Sequence, residues 1–349
     1  MHPTGSTKQP RLLSIDFGRT ATKACVSRQT GEVVLIPSQV ARLPVEKVRA
    51  SGFEDDDDGG LVDIWLEYQG QGYAFGQLAE DYGADLGLGQ SKLHNALHKT
   101  LACIGYFGLS GSIALVVDLP FAEQEQFERE RGELTAMLVG NHHLQYRGKP
   151  IEIEVSQVWV MPEGYGSLIW TEAQATDAPE SGLLTQRSAA IVDIGHQSTD
   201  LLMTDNFRFA RGASSSLRYG MATFYENLAA QIEGAESQSL SLIEAVHKPE
   251  GQRLYRPRGG KRPVHLDELL SATTAGFAQS LSAKLIEWLP ERATDIVVTG
   301  GGGEFIWSAL EPLVQELGLR AHLAKPSRTA NALGQYVYGQ LRVVESKSA

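Results

Sequence analysis

Short apolar runs of strand type and longer stretches with apolar residues at helical spacing alternate along this chain. RLLSIDFG (11–18) and TKACVSR (22–28) read as two strands joined by a turn over Phe17 to Ala21, and EVVLIPSQV (32–40) extends the same sheet. LVDIWLEYQGQGYAFG (61–76) predicts a hairpin turning at Gly70 and Gly72. In SKLHNALHKTLACIGYFG (91–108), Leu93, Leu97, Leu101 and Ile104 recur at helical spacing and the run stops at glycine. SIALVVDLP (112–120) has the continuous apolar character of a buried strand. A polar-faced helix follows over 121–140, then one strand or two over IEIEVSQVWVMPEG (151–164).

After a small-residue, acidic stretch from Thr171 to Ser181, the opening pattern returns. AAIVDIGHQSTDLLMT (189–204) repeats strand, Asp-x-Gly, polar turn and strand. The second copy leads into a helix at GMATFYENLAAQIEG (220–234) and a variable region ending in HKPEGQRLYRPRGGKRP (247–263). Leu266, Leu270, Phe277, Leu281, Leu285 and Leu289 mark a long helix that ends before Pro290. TDIVVTGGGGEFIWSALEPLVQELG (294–318) reads as strand, glycine turn and helix, and PSRTANALGQYVYGQLRVV (326–344) as a closing helix. A duplicated supersecondary unit predicts two α/β lobes facing each other, with a cleft between them for a ligand.

Composition narrows the class. The 349 residues exceed what one core usually serves, and 42% hydrophobic content is that of a globular protein. A net charge of −11 argues against a general nucleic-acid binder. The only cysteines, Cys25 and Cys103, are too few for a disulfide framework. No apolar run approaches the roughly 20 residues that cross a bilayer, and MHPTGSTKQPR lacks the apolar core of a signal peptide. A cytoplasmic protein without direct membrane association is expected.

The turns carry the candidate chemistry. Asp16 and Lys23 flank Gly18, Arg19, Thr20 and Thr22 in the first hairpin. Phosphate oxygens take backbone N–H groups, which glycine lets approach, together with hydroxyl and cationic donors. A carboxylate such as Asp16 repels phosphate but can hold Mg²⁺ through water, because Mg²⁺ keeps several waters and uses few carboxylates. Asp193 occupies the equivalent place in the second hairpin, followed by Gly195, Gln197, Ser198 and Thr199. Gly300, Gly301 and Gly302 stand between a buried strand and a helix N-terminus, where a nucleotide can approach the backbone and meet the helix dipole. The glycine spacing matches neither a Walker A loop nor a Rossmann fingerprint. The stretch His247 to Pro263 carries Lys248, Arg253, Arg256, Arg258, Lys261 and Arg262 against Glu250, while Glu54 to Asp58 is an acidic run of opposite sign.

Asp-x-Gly-x-Thr-x-x-Lys at Asp16 to Lys23, Asp-Ile-Gly with Ser-Thr-Asp at Asp193 to Asp200, and Val-Val-Thr-Gly-Gly-Gly at Val297 to Gly302 resemble, in their order, the two phosphate motifs and the adenosine motif of the actin-like ATPases. Among the branches, the chain looks most like the ParM-type bacterial and archaeal actins, the plasmid-partitioning proteins. VVDLP, VWVMPEG and TANALGQYVYG are similar to the strand ending in Leu-Pro, the strand ending in Pro-Glu and the closing helix of that branch. The resemblance extends from about Leu12 to Val344. It implies an actin-like ATPase fold: two duplicated ribonuclease H-like lobes with a nucleotide cleft. The first lobe would take 11–168 plus 325–345 and the second 188–324, with a variable subdomain at about 235–270.

Carried over by position, the resemblance makes Glu163 the residue that orients the attacking water, with Asp193 assisting. Asp16 and Asp193 would serve the Mg²⁺, and Gly18, Arg19, Thr20, Thr22 and Lys23 would face the β- and γ-phosphates. Gly195, Gln197, Ser198 and Thr199 would lie opposite, Gly300 to Gly302 along the α-phosphate and ribose, and Glu226 beside the sugar or base. His196 departs from the glycine pair usual in the second loop, and its side chain is expected to narrow that loop or reach toward the γ-phosphate. The implied activity is ATP hydrolysis coupled to head-to-tail filament assembly and disassembly, with a DNA-bound adaptor as partner. A small-molecule kinase, a chaperone-type ATPase switch and a non-polymerising scaffold are the alternatives on the same fold.

Overall fold

A computed structural model describes residues 9–51, 61, 63–175, 184–259 and 262–345. The chain divides into two compact units, Met1–Gln174 with Thr329–Ala349, and Ala175–Arg328.

The first unit begins with β1 (Arg11–Phe17), β2 (Ala21–Cys25), β3 (Val34–Pro37), β4 (Val40–Leu43) and α1 (Val45–Ser51). β5 (Ile64–Tyr68), β6 (Gln71–Phe75), α2 (Gln77–Asp81), α3 (Ala96–Tyr106), β7 (Gly111–Leu119) and α4 (Gln124–Leu138) follow. β8 (Gly140–Tyr146), β9 (Lys149–Pro162) and α5 (Tyr165–Ala175) complete this part. The nine strands form one sheet in the order β3-β2-β1-β7-β9-β8-β5-β6-β4. β1 and β2 are antiparallel with Asp16 opposite Lys23, whereas β1, β7 and β9 run parallel. Ile113 to Leu119 are buried throughout, as expected of a parallel strand covered on both faces.

The second unit repeats the same beginning. β10 (Ser188–Ile194) and β11 (Thr199–Asp205) form an antiparallel hairpin, followed by β12 (Arg208–Phe209), β13 (Ser215–Leu217), α6 (Met221–Ala229) and α7 (Leu240–His247). β14 (Leu254–Tyr255) and β15 (Val264–His265) form a separate two-stranded ribbon, and α8 (Asp267–Trp288), β16 (Asp295–Thr299), α9 (Gly300–Gln315) and β17 (Arg320–Leu323) close the unit. β10, β16 and β17 are parallel, so β2-β1-β7-β9 and β11-β10-β16-β17 have the same strand directions. Phe224 meets Phe277 and Phe305 edge-on at 5.9 and 5.1 Å in the core between α6, α8 and α9.

α10 (Ala330–Glu345) belongs to the first unit and packs on β1 and β7. Its small residues permit a close crossing. A Cβ on Gly334 would collide with the Gly166 carbonyl of α5, and one on Gly339 would stand 2.6 Å from Leu12. Asn331 Oδ1 accepts from Ser167 N at 3.2 Å, which ties the two helices where they cross.

Several elements went unforeseen in the hydropathy pattern, among them β8, α5, α7 and β17. β8 buries His142 and Leu144 on one face, and the alternation shows only once His142 counts as a core residue. The His142 Nε2–H donates to the Leu138 carbonyl and its Nδ1 accepts from the Tyr68 phenol hydroxyl, each at 2.9 Å. α5 runs into the small-residue, acidic stretch that begins at Thr171; α7 lies within the variable region, and β17 is four residues long. The strand-to-helix glycine turn is absent, because α9 starts at Gly300 directly after Thr299. Arg253 of the basic stretch pairs with Asp267 at 3.2 Å. The acidic run Glu54 to Asp58, like Lys261, lies outside the described residues.

At the opening of β16, Asp295 is fully buried and accepts from Arg320 at 2.7 Å, His322 at 2.9 Å, Arg187 at 3.1 Å and Thr294 at 2.8 Å. Burial favours the neutral acid, but the hydrogen bonds from Arg320, His322 and Thr294 outweigh it and hold the carboxyl below the usual carboxylate range. A depressed folded pKa contributes stability that is present above the unfolded value and lost as pH falls below it. Asp295→Ala, leaving two guanidinium groups without their counter-charge, is expected to cost about 3–5 kcal/mol in denaturant unfolding of the full chain at pH 7. The difference should shrink on acidification below about pH 4.

Candidate functional site

In the first unit three adjacent parallel strands bring carboxylates to their C-terminal ends: Asp16 on β1, Asp118 on β7 and Glu163 just after β9. Such strand ends are where open α/β sheets bind ligands. Asp16 is buried; its Oδ2 accepts from Lys23 Nζ at 3.0 Å, while its Oδ1 has no hydrogen-bond partner among the described residues. Gly18 is required at the turn. A Cβ there would collide with the Lys23 ammonium and stand 2.5 Å from the Ala21 carbonyl. Ser38 Oγ donates to the Gly18 carbonyl at 2.9 Å, and Ser38 N donates to Thr20 O at 3.1 Å, bracing the turn from β3. Thr22 is buried, and Arg19 donates to the Gln90 carbonyl.

Sequence reasoning did not single out Asp118. Its Oδ1 accepts from Phe17 N at 3.3 Å and its Oδ2 from Gln335 Nε2 of α10 at 2.7 Å. Burial, then the negative charges of Asp16 and Glu163, raise its pKa well above the ordinary value, against the opposing pull of Lys92 and Lys23. A protonated Asp118 can donate to the Gln335 amide oxygen, an atom with no other partner among the described residues, once that amide turns. Glu163 donates its backbone N–H to Leu119 O at 2.9 Å, and both of its carboxylate oxygens accept from Lys92. Lys92 was also missed: 71 residues separate the pair, so no local pattern connects them. The signal for Asp118 was a lone carboxylate in an otherwise apolar strand.

In the second unit, Asp193 pairs across the hairpin with Asp200 and lies beside Thr299 of β16. The duplication therefore changes chemistry at one register position, with Asp200 standing where Lys23 stands in the first hairpin. Gly195 N donates to Ser198 O at 2.9 Å to close the turn. Met221 N and Ala222 N of α6 donate to Gly195 O and His196 O at 3.0 and 2.7 Å, so the tip is locked to the helix start. Ser198 Oγ donates to Asp200 Oδ2 at 3.3 Å, and Asp200 Oδ1 is buried with no partner among the described residues. Gln197 is partly exposed at the tip.

Other residues of the predicted set are placed by the fold itself. Thr199 is fully buried and gives its hydroxyl to Tyr219 O at 2.5 Å, so it braces the hairpin from inside. The His196 ring packs 6.0 Å from Tyr225, and burial lowers its pKa, which keeps the imidazole neutral. Gly302 is buried, because about 100° of rotation per helical residue turns it inward from Gly300. A Cβ there would meet Ile194 and Met221. Gly300 and Gly301 remain at the open end of α9. Gly300 has φ +85°, and a Cβ on it would collide with Asp193 and stand 2.5 Å from the Ile194 carbonyl. Glu226 is exposed on α6.

The two hairpins, each opening a parallel sheet and ending in a buried aspartate, define the class of protein, and comparison with known families agrees. The family model described as actin-like proteins, N-terminal domain, matches residues 14–166, and that of the archaeal actin homologue MreB-like, C-terminal, matches 191–312. The chain belongs to the actin-like superfamily. It is similar to the solved actin-like protein Alp7A, at 14% identity and a TM-score of 0.75, over 97% of each chain. The archaeal actin homolog Ta0583 in complex with ADP matches at 17% identity and a TM-score of 0.71, over 95% of this chain and 99% of the other. Bacillus thuringiensis ParM with AMPPNP matches at 16% identity and a TM-score of 0.66, over 96% and 99%. No curated protein matches at the level of sequence. Among the described residues no helix is long and apolar enough to cross a membrane.

Because the Asp118 pKa is raised in the fold, the folded state holds a proton that the unfolded state has released, and stability falls as pH rises from the unfolded value toward the folded one. Asp118→Asn keeps a neutral group of the same shape, and its amide can pair with a turned Gln335. The variant is expected to lose that component of the pH-dependent decline, read from denaturant midpoints of both proteins between pH 4 and 8.

Proposed function

We propose that the chain binds and hydrolyses Mg²⁺-ATP and assembles head to tail into dynamic filaments, with segregation of plasmid or other DNA as the cellular task. The observation that carries this reading is the Asp16–Lys23 pair, closed over by Gly18 at the end of a parallel strand, with Glu163 at a neighbouring strand end of the same unit. The ADP and AMPPNP named for the two structural relatives support the choice of nucleotide.

Each hairpin has a distinct task in this proposal. The turn around Gly18 and Thr20 offers backbone N–H groups, and Lys23 offsets phosphate charge while Asp16 fixes its ammonium. Gly195, Gln197 and Ser198 offer the second set of donors, and Gly300 and Gly301 present the unpaired N–H groups of a helix start. In the first unit Asp16 Oδ1 is a buried acceptor without a donor among the described residues, and in the second Asp200 Oδ1 is another, opposite Asp193, so Asp16 and Asp193 are each carboxylates of the kind that serves a hydrated Mg²⁺. Mg²⁺ supplies charge neutralisation of the phosphates. Glu163 orients the attacking water and accepts its proton, while Lys92 holds that carboxylate in place. A protonated Asp118 spares the phosphates a further negative neighbour. Head-to-tail contacts that do not close generate a polymer, and a DNA-bound adaptor would link that polymer to its cargo.

Sedimentation with MgATP, with MgADP and without nucleotide tests the filament. Pelleting is expected with MgATP, and Glu163→Ala should pellet as well but persist longer, with ATP turnover reduced at least about 100-fold. A chain that stays monomeric in every condition removes the polymer, and sugar-stimulated ATP consumption without pelleting would favour a kinase. Lys23→Ala is expected to weaken nucleotide binding roughly tenfold or more, measured with a fluorescent ATP analogue.

A further inference from the structure

A cavity of about 260 Å³ within the first unit is lined by Arg19, Lys92 and Lys99, with Asp85 as the carboxylate on its wall. Phe17 and Gly18 form one side of it, so it adjoins the first hairpin. The Asp85 Oδ1 already accepts from Gly87 N at 2.8 Å. Among the described residues Lys99 has no ion-pair partner, although it is partly buried next to two other cations. Burial, then the charges of Lys92 and Arg19, push its pKa down to about 8, which leaves it mostly protonated at neutral pH. A half-buried ammonium crowded by like charges is costly unless an anion joins it.

The geometry points to a small tetrahedral oxyanion, inorganic phosphate, bound by Lys99 and Lys92 in this cavity, with Arg19 of the adjoining hairpin turn as the third cation. Two features select that ligand. The volume lies below the roughly 300 Å³ at which pockets for larger ligands begin, which favours a small ion. Three convergent cationic side chains suit a phosphate with part of its hydration shell.

The site also has a consequence for hydrolysis, which rests on the reading of Glu163 above. Lys92 is shared: it lines the cavity and binds both carboxylate oxygens of Glu163. A phosphate in the cavity competes for that ammonium and withdraws it from Glu163. Free phosphate then acts as a brake on the next turnover.

Equilibrium dialysis of the nucleotide-free full chain against radiolabelled orthophosphate tests the site without requiring any ATPase activity. One phosphate per chain is expected, with affinity lowered about tenfold or more in Lys99→Met, which loses a charged contact, and largely retained in Lys99→Arg. Lys23→Ala should bind phosphate as the unaltered chain does. Circular dichroism establishes that each variant is folded. No saturable binding, equal affinity in a folded Lys99→Met, or loss in Lys23→Ala alone would each overturn the site. In a second arm, added phosphate should slow ATP turnover of the unaltered chain but not of Lys99→Met. Saturable binding without that slowing would overturn the link to Glu163, and absence of any turnover would count against the ATPase reading while leaving the dialysis result intact.

Discussion

Carboxylates gathered at the ends of parallel strands are the constraint around which the first unit is built. Asp16, Asp118 and Glu163 are carried there by β1, β7 and β9, and three negative charges in a shielded place repel one another. The structure answers each differently. Lys23 pairs with Asp16, Lys92 pairs with Glu163, and the Asp118 pKa is pushed up, which favours its neutral form. Gly18 is needed at the turn because the Ala21 backbone carbonyl, with the Lys23 ammonium beside it, occupies the space of a side chain, and Gln335 brings α10 into the same arrangement.

The second unit starts from the same hairpin and reaches a different electrostatic solution. Asp193 faces Asp200 instead of a lysine, and the tip is held by N–H groups at the start of α6. One duplicated scaffold therefore supplies a cationic hairpin and an acidic one. Charges at the opposite, N-terminal end of the second sheet serve stability. Asp295 is surrounded there by Arg187, Arg320 and His322, on the strands flanking β16 and the residue before β10.

Lys92 connects the two proposals made for the first unit. It binds the carboxylate assigned to water positioning and also lines the cavity assigned to phosphate. Its two roles exclude each other at any instant, because one ammonium cannot fully satisfy both anions. A cation shared between a catalytic carboxylate and a product anion is a physical route by which product concentration reaches turnover.

The sequence by itself determined the duplicated hairpins, the parallel-sheet strands and the helices of strong period, because those depend on local apolar spacing and on turn residues that recur within 20 residues. It also marked Asp16, Lys23, Glu163 and Asp193, which stand in contiguous motifs. Tertiary structure decided what distance along the chain hides. Lys92 meets Glu163 across 71 residues and Asp118 meets Gln335 across 217. Only the folded chain turns Gly302 inward, commits the Thr199 hydroxyl to Tyr219 and sets Asp200 opposite Asp193. A motif states which residues are near in sequence; the charge that a carboxylate carries depends on which distant groups the fold presses against it.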